Sequence, residues 1–133
     1  MITAVDTCVL LDVFYEPSEY GEVSSAALRR AFDAGGLCIC SAVFAELVPR
    51  FGDREALEAT LRETGVIFVR DTAETAWHAG RCWAAYRRQG GTRDRILTDF
   101  LIGAHALVHA DALLTRDRGF YRTHFTDLKI IEP

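Results

Sequence analysis

Several things are scarce in this chain of 133 residues: it has one lysine, one methionine and three prolines. No apolar run approaches the ~20 residues needed to span a bilayer. The first residues carry no basic, apolar, small-residue leader pattern, because Asp6 and Asp12 interrupt it; the expected location is the cytoplasm. There is no internal repeat, no low-complexity tract and no linker long enough to divide the chain. The G-x-x-x-x-G-K-[ST] phosphate loop and the G-x-S-x-G nucleophile elbow are both missing. Cysteine is limited to Cys8, Cys38, Cys40 and Cys82. Cys38 and Cys40 share one face of the strand-like LCIC, but no second pair follows to complete a zinc site. Four reduced, mostly buried thiols are expected.

What is present suits one domain over residues 1–133, large enough to bury a core without staples. Half the residues are apolar and 26% are charged, the usual balance of a globular domain. The net charge of −4 argues against a protein that holds nucleic acid by bulk charge alone. Fourteen of the fifteen basic residues are Arg, however, and seven lie between positions 87 and 122. Arg forks onto phosphate and stacks on bases. The plainer reading of the same residues is a solvated face.

Short apolar runs alternate with longer helical ones. ITAV (2–5), LCIC (37–40), VIFV (66–69), ALLT (112–115) and LKII (128–131) read as strands. Helices are expected over 8–14, 20–34, 53–64, 72–88 and 99–109, with Gly35-Gly36 and Gly65 as stops. Ser41 is the expected N-cap of a short helix, AVFAELV, that Pro49 limits. In the 72–88 helix, Trp77 and Trp83 fall on one apolar stripe and are expected in the core. QGGTR (89–93) reads as a loop. Apolar strands separated by helices point to a three-layer α/β/α sandwich with a central parallel sheet of four or five strands.

In such sheets, function lies beyond the C-terminal ends of the strands. Four acids fall there. Asp6 follows ITAV, Glu46 lies in the helix after LCIC, Asp99 begins an apolar helix, and Asp117 follows ALLT after Arg116. Each has a local use as well: Asp6 and Asp99 as helix caps, Glu46 on a solvated face, Asp117 in a turn with Gly119. Yet Glu46 is flanked by apolar residues, where a carboxylate is costly unless something positive meets it. Gathered carboxylates repel, and a hard cation such as Mg²⁺ or Mn²⁺ removes the conflict. Asp12 falls well into the following helix and reads as structural.

VDTCVLLDVF, FAEL, TDFLIGAHAL and LLTRDRGFYR resemble, in order, the four acidic motifs of PIN domains. They most closely resemble those of the VapC toxins of bacterial toxin–antitoxin pairs. The likeness covers essentially the whole chain. Each motif alone is weak; the four in order are specific. The resemblance implies an endoribonuclease dependent on Mg²⁺ or Mn²⁺, with Asp6, Glu46, Asp99 and Asp117 as metal-binding acids and Thr115 as a supporting hydroxyl. Cys8 departs from the pattern, which commonly has Ser or Asn there, so a local polar contact is expected to weaken. The resemblance also implies a homodimer and a VapB-like antitoxin whose C-terminal segment, often carrying Arg, covers the acidic pocket. The negative net charge agrees with such a partner.

The expected chemistry is hydrolysis of an RNA phosphodiester by in-line attack of an activated water, leaving a 5′-phosphate and a 3′-hydroxyl. Arg93, Arg95, Arg116 and Arg118 are the candidate phosphate contacts. HALVH places His105 and His109 one turn apart but lacks the Glu of a zinc-protease helix, so both are expected to fill structure. Two rival readings are a PIN nuclease of RNA maturation and a PIN-like binding module without activity.

Overall fold

The computed structural model describes residues 1–15, 17–92 and 97–133. Its centre is one five-stranded, wholly parallel sheet. The strands are β1 (Ile2–Val5), β2 (Gly36–Ile39), β3 (Val66–Phe68), β4 (Ala112–Leu114) and β5 (Ile130–Ile131), in the spatial order β3-β2-β1-β4-β5. Helices α1 (Thr7–Phe14) and α2 (Gly21–Asp33) join β1 to β2. Helices α3 (Ser41–Leu47) and α4 (Arg54–Thr64), with a 3₁₀ turn over Val48–Arg50, join β2 to β3. Helices α5 (Ala73–Arg88) and α6 (Leu97–His109) return the chain to β4, and α7 (Arg118–His124) leads to β5. The crossovers run out one way from β1 and back the other, and parallel connections of the usual right hand then put helices on both faces, which gives three layers.

The expected strand and helix centres are all present, and the punctuation explains their ends. Asp53 caps α4 by accepting the Ala56 N–H at 2.7 Å. Gly65 closes α4 at φ 78°, a left-handed conformation that glycine adopts without penalty. Thr72 and Thr75 form a reciprocal capping box at the start of α5. Ser41, by contrast, is not an N-cap. Cys40 holds that position without a side-chain bond, and the Ser41 N–H donates to Asp71 Oδ2 at 3.1 Å from the loop after β3.

Two expectations about packing fail. Trp77 is 66% exposed, whereas Trp83 packs edge-on against Phe100 at 5.5 Å. The inward positions of α5 are Thr75 and Ala79, and Trp77 lies two residues, about 200°, from Thr75. β3 is not buried on both faces either. It forms one edge of the sheet, and Ile67 and Phe68 are exposed there. The cysteines are all free, as expected.

Leu10, Leu37, Ile39, Leu113, Leu114 and Phe100 fill the centre of the core. Buried on both faces, the middle strands hold their C-terminal ends rigidly, and this positions the site. Strand order reverses between β1 and β4, so a crevice opens beyond their carboxyl ends. Asp6 and Thr115 follow these two strands. Among the described residues, no helix is long and apolar enough to cross a membrane.

Candidate active site

Asp6 leaves the central strand and caps α1. Its N–H donates to the Leu114 carbonyl at 3.0 Å, and its Oδ1 accepts the Thr7 N–H at 2.8 Å. The cap and the site are therefore one feature: the residue that starts the helix also presents a carboxylate at the switch point. The remaining oxygen, Oδ2, accepts the Thr115 hydroxyl at 2.6 Å. Burial, chiefly, pushes the Asp6 carboxyl above its ordinary range. Bonds from Thr115, the Thr7 amide and the Cys8 thiol offset that effect only in part, and the charge of Asp117 adds to it. A cation at this carboxylate would favour its ionised form.

Thr115 is fully buried and ties two acids together. While donating to Asp6, its hydroxyl oxygen accepts the Asp117 N–H at 2.9 Å. Asp117 N-caps α7 without using its side chain for the cap. Replacing Thr115 with Val would remove the acceptor that the Asp117 N–H uses here and a donor from Asp6. The expected results are a stability loss of ~1–3 kcal/mol, read from urea unfolding, and a Mn²⁺ affinity lowered by roughly tenfold or more in calorimetry. Thr115→Ser keeps the hydroxyl and is expected to retain most of both.

Thr7 makes the corresponding link on the other side and was not anticipated from sequence. Its hydroxyl donates to Glu46 Oε2 while its N–H holds Asp6. The helix bearing Glu46, α3, packs against α1, so the half-buried carboxylate meets Thr7 rather than water alone. The signal was faint: a polar residue following the strand-end acid. Asp71, also missed, lies in the loop three residues beyond β3, and it joins Glu46, Thr98 and Leu101 in lining a groove.

Asp99 lies in the first turn of α6, two residues inside the helix. Its connection to the others is visible at Tyr121, which is 1% exposed. Burial first, and then the negative charges of Asp6 and Asp99, with Cys8 and Asp117 following, push the Tyr121 phenol far upward. One neutral hydroxyl thus sits in the field of three of the four acids. Cys8 keeps a weak polar contact at the place where the sequence departs from the PIN pattern. Burial and the Asp6 charge push its thiol up to about 11, so it stays a protonated donor beside Asp6.

The candidate arginines divide. Arg93 and Arg95 lie outside the described residues. Arg116 turns inward and forks onto Asp12, with Nε to Oδ2 at 2.8 Å and Nη2 to Oδ1 at 3.1 Å. Its fork is engaged by Asp12 in this structure, while the residue itself stays exposed. Arg118 pairs with Glu132 at 2.7 Å on the surface, where a competing phosphate costs little to admit. The two histidines of α6 are structural. His105 is buried and its Nε2 donates to the Val69 carbonyl at 2.8 Å; His109 Nε2 meets the Thr75 hydroxyl at 2.9 Å. They fasten α6 to the start of α5 and the loop before it.

The donor set is all oxygen, as Mg²⁺ and Mn²⁺ prefer. Among the described residues, no three acidic, histidine or cysteine side chains form a group close enough to hold a metal ion by themselves.

A parallel α/β sandwich, with Asp6 and Asp117 linked through Thr115 beyond β1 and β4, defines the class. Residues 3–125 match the PIN domain model, and the chain belongs to the PIN domain family. A chain of VapBC2 from Rickettsia felis, solved bound to a promoter DNA fragment, superposes with a TM-score of 0.76 at 17% identity, covering 100% of this chain and 99% of that one. A chain of VapBC-1 from nontypeable Haemophilus influenzae gives 0.73 at 20% identity, covering 99% and 98%. A chain of FitAcB from Neisseria gonorrhoeae gives 0.68 at 17% identity, covering 98% and 96%. Likeness at these identities establishes the fold. No curated protein sequence matches the chain.

Proposed function

We propose that residues 1–133 form a single-domain, divalent-metal-dependent endoribonuclease, the VapC-type toxin of a toxin–antitoxin pair, acting in the cytoplasm. The observation that carries this reading is the linked set Glu46–Thr7–Asp6–Thr115–Asp117, beside a Tyr121 that also feels Asp99. Asp6, Glu46, Asp99 and Asp117 are the residues that would hold Mg²⁺ or Mn²⁺. When bound, such an ion lowers the pKa of water and neutralises charge developing on phosphate. The protein's own contribution is orientation. Thr115 and Thr7 keep the carboxylates aimed, and burial of Asp6 keeps bulk water from screening its charge. Arg118, with Arg93 and Arg95, is proposed to meet the RNA backbone.

The architectural likeness to chains of VapBC complexes supports a VapB-like antitoxin partner, with an Arg-bearing antitoxin segment suited to the acidic edge; a homodimer is part of the same proposal. The wild-type protein with RNA tests the nuclease reading. Cleavage is expected to stop with EDTA, return with added Mn²⁺, and leave 5′-phosphate ends. Cleavage that survives chelation, or no binding of Mn²⁺ at all, overturns it.

A further inference from the structure

Arg116 stands between two residues of the proposed site, Thr115 and Asp117, yet its side chain leaves that site. It crosses to Asp12 on α1, the helix that begins at Asp6. Asp12 is 6% exposed and also accepts the Ser24 hydroxyl at 2.7 Å and the Ser18 hydroxyl at 3.4 Å. The Tyr20 ring covers the guanidinium, with its centroid 4.2 Å away. This is a planar, two-point contact from a partly exposed arginine to a buried carboxylate, and it fixes direction as well as distance.

We propose that Asp12 and Arg116 are positioning residues: a clamp that locks the β4–α7 loop to α1, so that Asp6 and Asp117 ride on one rigid frame. This rests on the reading of the acids as a cation site. The loop needs the clamp because its other ties act at its ends. Thr115 N–H reaches the Ile131 carbonyl at 3.0 Å, and Asp117 is held through Thr115. Without the fork, the residue between them loses its tie to α1, and its sequence neighbour Asp117 is aimed less firmly. Placement errors of this kind weaken ligand sets even where no ligand is changed.

The test compares wild type, Asp12→Asn, Arg116→Gln, Arg116→Lys and the double variant Asp12→Asn/Arg116→Gln. Mn²⁺ alone is titrated by calorimetry, RNA cleavage gives kcat and KM, and thermal melting follows the fold. Each single variant is expected to weaken Mn²⁺ binding by about tenfold or more and to lower kcat at unchanged KM. Arg116→Lys keeps the charge but not the fork and should share the loss. The double variant should be no worse than the weaker single, because one contact is lost in all of them. It also removes the stranded Asp12 charge, so the comparison stands even if Arg116→Gln unfolds. Folded variants with wild-type Mn²⁺ affinity and kcat overturn the clamp. So does an Arg116→Gln variant that raises KM and flattens the salt dependence of RNA binding while Asp12→Asn does not; Arg116 would then be a phosphate contact. If wild type itself binds no Mn²⁺, the site reading has failed and the clamp fails with it.

Discussion

Asp99→Asn is expected to lower Mn²⁺-dependent RNA cleavage by about 100-fold or more and to abolish growth arrest when the chain is induced in a bacterial host. The substitution keeps the shape of the side chain and removes its charge. Asp99 sits in the first turn of α6, where a carboxylate gains from the helix dipole. Losing that dipole interaction costs ~0.3–1 kcal/mol, small against the stability of an ordinary domain. Loss of activity and loss of fold are thus separable. Mapping RNA 5′ ends after induction provides the measurement. Discrete new 5′-phosphate ends with wild type alone identify the target class. Equal growth and no new ends for both, with both folded, would favour a binding module or a maturation nuclease over a toxin.

Glu46→Gln carries the second large expectation, a loss of cleavage of similar size with the melting temperature nearly unchanged. Glu46 is only half-buried, and its bonded oxygen accepts from the Thr7 hydroxyl. A glutamine carbonyl accepts the same bond, so the link from Glu46 through Thr7 to Asp6 survives as geometry. What disappears is negative charge, which a hard cation requires and a solvated helix face does not. Cleavage and melting measured on the same preparation decide the matter. An active Glu46→Gln variant would return Glu46 to the solvated face that its sequence context also allowed, and would leave three acids to carry the site.

Much of this site was legible from local pattern. Each of Asp6 and Asp117 follows an apolar run of strand length, and in parallel sheets that position faces the functional edge. The strand and helix centres were readable for the same reason, since periods of 2 and 3.6 and glycine or proline stops act over a few residues. The errors share a cause as well. Trp77 fits an apolar stripe on α5, yet nothing comes to cover it. Ser41 has the chemistry of a cap, but Asp71, thirty residues away, serves that helix end instead. The helix α7 was read only as a turn, although buried Phe120 and Tyr121 hold it to the core.

Sequence by itself determined the fold class, the order of the acids along the chain and the placing of Asp6 and Asp117 just beyond β1 and β4. These follow from hydrophobic periodicity and strand-end position, which depend on near neighbours. Tertiary structure alone decided the partners: Thr7 beneath Glu46, Thr115 on Asp6, Tyr121 in the field of three carboxylates, and Arg116 on Asp12 across 104 positions. An arginine in a basic cluster has the same local pattern whether it faces phosphate or a buried aspartate. Only the packing of α1 against the β4–α7 loop chooses between them, because desolvated Asp12 is costly without a cation and Arg116 reaches it.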